Sequence, residues 1–263
     1  MEYTQFLDYI PIWVLFIVTA VVFSIAAEIG FRVGKRKHAR REKEANPEVN
    51  TILGASLGLL AFFLAFTFNM AGSRYDARKQ LVLDEATALE KTYLHTQLLL
   101  DPYRMEFQDL LRQYIDVRTQ IQTDKMETIR QVIGKSEELH SLLWSKVVTM
   151  TKDKNYSGTT ALLVGSLDNV FSLHGKRINA GLRNRIPISI FLTLYIVGFL
   201  AMAMLGYQAG LSGKRSPVTR LALILTFSIV MTLITDLERP RQEIFGVSQQ
   251  TMVDLKNKIS RTP

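Results

Sequence analysis

Four apolar spans occur in two pairs, with a long polar stretch between the pairs. They read Pro11–Phe31, Thr51–Gly72, Ile186–Gln208 and Val218–Asp236. As helices each has about the length needed to cross a hydrocarbon layer of ~30 Å, the fourth being the shortest. No single water-facing core accommodates such runs beside so many charges. The chain therefore separates into membrane and aqueous parts, and its function has to be sought within that division.

The first span reads as a retained helix rather than a cleaved signal. Glu2 and Asp8 stand where a basic leader would, the apolar run is long, and Glu28 follows the small pair Ala26-Ala27. The chain has no cysteine, which excludes disulfides, thiolate metal sites and cysteine nucleophiles. Its net charge of +8 is uneven. Arg32, Lys35, Arg36, Lys37, Arg40, Arg41 and Lys43 crowd the segment between the first two spans. This run reads as a cytoplasmic loop under the positive-inside rule, not as a nucleic-acid surface. Lys214 and Arg215, between the third and fourth spans, agree with it. The expected product is a multi-pass inner-membrane protein whose partner is the lipid bilayer, with no nucleic acid. Its short loops are cytoplasmic and its central domain is periplasmic or otherwise extracytoplasmic. Arg74, Arg78, Lys79, Lys176, Arg177, Arg183 and Arg185 flank the membrane on the other side and oppose that orientation.

The expected fold is all-α. Residues 1–72 form a first transmembrane hairpin with its basic loop, and 73–185 a water-exposed helical bundle. Residues 186–236 form a second hairpin, and 237–263 a tail with a short helix. Within the bundle, apolar residues recur at helical spacing. Val82, Ala86, Leu89 and Tyr93 continue the second membrane helix without a break until Asp101-Pro102. Phe107, Leu110, Tyr114, Val117 and Ile121 mark the next helix. A third carries Ile129, Ile133, Leu143 and Val147, with Asp124 as its cap, and a fourth runs from Ser157 through Leu163, Leu167, Phe171 and Ile178. Pro240 stops the last membrane helix, and Met252, Leu255 and Ile259 form the apolar face of a tail helix placed on the bundle or on a neighbouring subunit.

No catalytic constellation is visible, and no cofactor is expected. His38, His95, His140 and His174 lie on separate segments without paired ligand spacing, so packed or surface histidines are expected and no metal site. There is no phosphate-binding glycine loop. The second span holds the most information. Gly54, Gly58, Ala61 and Ala65 form a small-residue face for close helix packing. Phe62 and Phe66 project one turn apart, and Asn69 is polar within the apolar run. In a ring of identical subunits these three are pore-lining candidates, with the aromatics as an apolar constriction; plain lipid-facing or inter-helix packing is the alternative. Glu28 is acidic within the first span, and Arg32 one turn later is its expected partner. Arg74, Asp76, Asp236, Glu238 and Arg239 are expected to gather as a charge cluster at the membrane edge.

The segment Ala55-Ser-Leu-Gly-Leu-Leu-Ala-Phe-Phe-Leu-Ala-Phe-Thr-Phe68 through Arg74-Tyr-Asp-Ala-Arg78 and Glu85-Ala-Thr-Ala-Leu89 resembles the bestrophin-like bacterial membrane proteins. So does the tail, Asp236-Leu-Glu-Arg-Pro-Arg241 followed by Val247-Ser-Gln-Gln250. The resemblance covers nearly the whole chain. It implies a distant likeness to bestrophins, which are pentameric anion channels with an apolar and aromatic neck on the second membrane helix. It would place Phe62 and Phe66 at that neck. The expected function is an oligomeric ion channel, with anions as the permeant class that the resemblance implies. Its expected partners are a homo-oligomer, a pentamer by analogy, and small ions. A non-conducting sensor or scaffold with an extracytoplasmic bundle is the alternative.

Overall fold

A computed structural model describes residues 10–39, 47–120, 126–152, 157–213, 217–239 and 246–261. The expected cap Asp124, the basic residues Arg40, Arg41, Lys43, Lys214 and Arg215, and the helix stop Pro240 lie outside them. The described residues form α1 (Ile12–Ala39), α2 (Pro47–Thr96), α3 (Tyr103–Thr119), α4 (Met126–Met150), α5 (Ser157–Ile178), α6 (Ile188–Ser212), α7 (Pro217–Glu238) and α8 (Gln250–Ser260). The all-helical class read from periodicity is the one observed. Among the described residues four helices are long and apolar enough to cross a membrane, and the four apolar spans fall on α1, α2, α6 and α7 apart from Pro11, Ile186 and Pro187. The chain is a membrane protein. It divides into two units: residues 1–75 with 185–246, and residues 76–184 with 247–263.

The first unit contains α1, the apolar part of α2, α6 and α7. Gly30, Gly34, Gly206 and Gly210 let α1 and α6 approach until backbones touch. A Cβ on Gly206 would stand 1.9 Å from the Ala27 carbonyl oxygen, and one on Gly30 1.8 Å from that of Ala203. Backbone cannot retreat as a flexible side chain can, so only glycine fits these positions. Phe23 seats against Gly198, and Leu60, Leu64, Met202, Ile224 and Met231 complete the core around it. Thr19 donates to the Leu15 carbonyl at 2.8 Å, which commits its one hydroxyl proton. Tyr195 therefore donates to Thr19 across the seam at 2.7 Å. Outward-facing Ile17, Val21, Ile25, Leu192, Ile196, Leu221 and Ile229 remain about half exposed or more, as a lipid-facing surface requires. Gly213 at φ +65° ends α6 in the left-handed conformation, and Pro217 opens α7 where its missing N–H costs nothing.

The second unit contains the distal part of α2 with α3, α4, α5 and α8. Leu89, Phe107, Leu111, Tyr114, Leu143, Val147, Leu163 and Leu167 form its core. The tail helix α8 packs onto that core through Met252, Leu255 and Ile259. Two ion pairs hold its rim, Lys256 with Asp116 at 3.0 Å and Lys258 with Glu90 at 2.5 Å. After Ile178 the backbone widens into one π turn, Asn179–Arg183, closed by the Asn184 N–H donating to the Asn179 carbonyl at 2.8 Å.

Candidate functional site

On the apolar part of α2, side chains one turn apart fall on common faces. Leu53, Leu60, Leu64, Thr67 and Ala71 face inward and are buried; Thr67 satisfies its hydroxyl on the Phe63 carbonyl at 2.7 Å. The remaining circumference stays open. Gly54 and Gly58 meet nothing within 4 Å where a Cβ would stand, and Ala61 and Ala65 beside them are exposed. Beyond this strip of small residues, Phe62 and Phe66 project at 64% and 54% exposure, and Asn69 is exposed with them. The Phe62 ring meets Phe63 edge-on, with centroids 6.0 Å apart. Within one chain, the close packing expected of Gly54 and Gly58 is made instead by the glycines of α1 and α6.

At the end of α7, Glu238 joins Arg74 of α2. Glu238 accepts from Arg74 at 3.2 Å and from the Ile186 N–H, so one carboxylate ties α2 and the approach to α6 to the end of α7. Asp236 and Arg239 are buried, whereas Asp76 is exposed and belongs to the second unit. Glu28 does pair with Arg32 at 3.1 Å, and Arg220 of α7 adds a second contact at 3.3 Å.

The second unit holds a polar centre that periodicity did not reveal. Glu85, more than three turns past the apolar end of α2 at Gly72, is fully buried. Tyr114 donates to its Oε1 at 2.7 Å and Arg118 to its Oε2 at 3.0 Å, and Arg177 donates to the same Oε2. Arg177 also donates to Gln249 at 3.1 Å, just ahead of α8. His174 Nδ1 lies 3.2 Å from the Tyr114 hydroxyl. His140 stacks on Tyr114 with centroids 5.0 Å apart and meets His174 at 4.7 Å. Burial by itself would raise the Glu85 carboxyl; the Arg118 and Arg177 guanidiniums, with the bonds from Arg118 and Tyr114, overcome that and hold it down at about 2. Burial pushes His140 down to about 4 and His174 to about 3, with Arg118 adding to both effects. Both rings are thus neutral near pH 7. No group of three or more His, Asp or Glu suited to a metal ion exists among the described residues. One sequence signal pointed to this centre. Glu85 stands on the same face as Val82 and Leu89, an acid within a buried stripe.

These features define a four-span helical membrane protein with a helical unit between its second and third spans. The family model for the bestrophin-like domain matches residues 18–252, and the chain belongs to the bestrophin-like family. Its fold is that of solved bacterial relatives. A single-substitution variant of a bestrophin homologue from Klebsiella pneumoniae superimposes with a TM-score of 0.69 at 16% identity, covering 96% of this chain and 97% of that one. A second such variant gives 0.68 at 14% identity, covering 95% and 97%. A structure described as a membrane protein gives 0.66 at 16% identity, covering 95% of each chain. No curated protein matches the chain.

Proposed function

We propose that this chain assembles into a ring of identical subunits, five by the family likeness, and forms an ion channel lined by α2. The observation that carries this reading is the surface of α2. One face is buried in its own chain, and two adjacent faces are open, one of small residues and one bearing Phe62, Phe66 and Asn69. Four membrane helices enclose no comfortable pore by themselves, so the path lies between subunits. Gly54, Gly58, Ala61 and Ala65 then admit a helix of the neighbouring subunit at close range. Phe62 and Phe66 turn toward the axis as an apolar constriction that closes by losing its water, with Asn69 as the polar step beside it. Anions are the permeant class that the family likeness supports.

The Arg74–Glu238 pair, with Asp236 and Arg239 buried at the same end of α7, anchors the helix ends at the membrane edge, and Asp76 follows Arg74 on α2. The basic residues between α1 and α2 support short loops on the cytoplasmic side and the second unit outside. Planar-bilayer recordings of purified protein test conduction directly. Phe62→Ala with Phe66→Ala is expected to raise conductance, and no current from any preparation would overturn the channel in favour of a non-conducting sensor or scaffold. Because the chain has no cysteine, a single Lys152→Cys reports sidedness. Labelling of intact cells by an impermeant maleimide is expected, and labelling only after lysis would reverse the orientation.

A further inference from the structure

On α1 one face is fixed by packing, and the opposite face follows from it. Gly34 is pressed against α6, where a Cβ would collide with the Tyr207 carbonyl oxygen. Successive helical residues turn by about 100°, so Arg32 and Arg36, two positions to either side of Gly34, project from the far side of the helix, one turn apart. Both are exposed. On that same side stand Val18, Val21, Ile25 and Ile29, each about half exposed. From Val18 to Arg36 these residues follow one another at steps of three or four, the spacing of a single helix face.

The length of α1 sets the depth of each group. The run Ile12–Phe31 alone spans about 30 Å as a helix, the thickness of the hydrocarbon layer. Arg32 therefore stands at the edge of that layer and Arg36 about 6 Å further out, at the level of the headgroups. The stretch from Val18 to Ile29 covers about 16 Å, the depth of one leaflet's acyl chains. The charge at the upper end is positive. Arg32 gives its Nε to Glu28 at 3.1 Å, yet 72% of its side chain stays exposed. Arg220 of α7 meets the same Glu28 at 3.3 Å, so Arg32, Arg36 and Arg220 outweigh that one carboxylate. Lys35 and Lys37 are exposed to either side of Arg36.

We propose that this stripe of α1 docks one phospholipid with an anionic headgroup. Its acyl chains lie along Val18, Val21, Ile25 and Ile29, and its phosphate sits against the guanidiniums of Arg32 and Arg36. Guanidiniums match phosphate oxygens in charge and in bond geometry, and two of them one turn apart can share one phosphate. A zwitterionic lipid would bring an ammonium among the same cations and lose the advantage. The positive-inside pattern accounts for basic residues near the membrane, but it is indifferent to the helix face that carries them. What singles out a lipid is the register of Arg32 and Arg36 with the apolar stripe beneath. The site lies within the first unit and does not depend on conduction.

The test is native mass spectrometry of the full chain in detergent, titrated with dilauroylphosphatidylglycerol against dilauroylphosphatidylcholine. The anionic lipid is expected to bind roughly tenfold more tightly, and Arg32→Gln with Arg36→Gln to erase that preference. Lys35→Gln with Lys37→Gln removes the same charge beside the stripe and is expected to keep most of it. Arg36→Gln alone is expected to weaken the anionic lipid roughly threefold to fivefold, and it decides the matter if the double arginine variant does not fold. Equal binding of the two lipids by the parent protein would overturn the site. So would equal losses in the two double variants, which would mean a diffuse surface charge. Displacement of the anionic lipid by inorganic phosphate at the same concentration would leave the apolar stripe without a role and overturn the lipid as occupant.

Discussion

The two units of this molecule hold together by opposite means. In the membrane unit the tightest seam is made by residues with almost no side chain, Gly30 and Gly34 against Gly206 and Gly210. In the helical unit the centre is made by some of the largest polar side chains in the chain, gathered around Glu85. The difference follows from the solvent. Lipid tails are as apolar as leucine, so helices gain little by burying leucine against each other and gain instead from backbone-close contact. The stripes of α2 to α5 are amphipathic instead, so their burial against one another drives association, and the charge network around Glu85 is buried with them at a cost in desolvation.

The comparison breaks most sharply at Gly206. Gly206→Leu would place a Cβ 1.9 Å from the Ala27 carbonyl oxygen and is expected to abolish a folded, monodisperse membrane protein in size-exclusion chromatography. Gly54→Ala has nothing within 4 Å in its own chain and is expected to leave the fold intact. A weakened oligomer in that variant, seen as a shift in mass by light scattering, would place its small-residue face at a subunit contact.

Next in size is Glu85→Ala, which strands two buried guanidiniums. A loss of about 3–5 kcal/mol is expected in chemical denaturation. A loss below about 1 kcal/mol would mean that water already screens the centre.

Acidification is expected to weaken the helical unit through the same residues. His140 and His174 bind protons less readily folded than unfolded, so their contribution is complete above about pH 6.5. It declines as pH falls toward about 4 for His140 and about 3 for His174. Glu85 is held below its ordinary 4.5, so its contribution is complete above that value and is lost as pH falls toward about 2. Melting temperatures in gluconate buffers across that range are expected to fall with pH, and His140→Phe is expected to flatten the upper part of the decline. A flat profile in the parent protein would exclude the histidines as buried neutral groups.

The smallest effect belongs to the rim of the helical unit. Lys258→Ala removes an exposed pair with Glu90 and is expected to change stability by roughly 0.2–1 kcal/mol, detectable only as a slight shift of the denaturation midpoint.

Much of the architecture was visible in hydropathy and spacing. The four spans and the apolar face of α8 are local patterns, because membrane crossing and amphipathic burial need only a run or a period along one helix, whereas α2 ends at Thr96, short of the Asp101-Pro102 break expected of it. The Glu28 and Arg32 pair was predictable for the same reason, being one helical turn apart. The polar centre was not. Glu85, Tyr114, Arg118, His140, His174 and Arg177 come from four helices, and nothing in their separations along the chain implies that they meet. The same holds for the α1–α6 seam. Gly30-x-x-x-Gly34 and Gly206-x-x-x-Gly210 are plain in the sequence, but so is Gly54-x-x-x-Gly58, and the spacing does not say which pair is used within the chain.

The sequence by itself therefore determined an all-helical membrane protein, its four spans and its bestrophin-like kinship. These rest on runs, periods and motifs that each belong to one stretch of chain. Only the tertiary structure decided which glycines touch, which face of α2 stays open, and that one buried carboxylate collects two arginines, a tyrosine and, through that tyrosine, a histidine. Those are outcomes of packing between helices, where a partner's position depends on every helix at once and not on its distance along the chain.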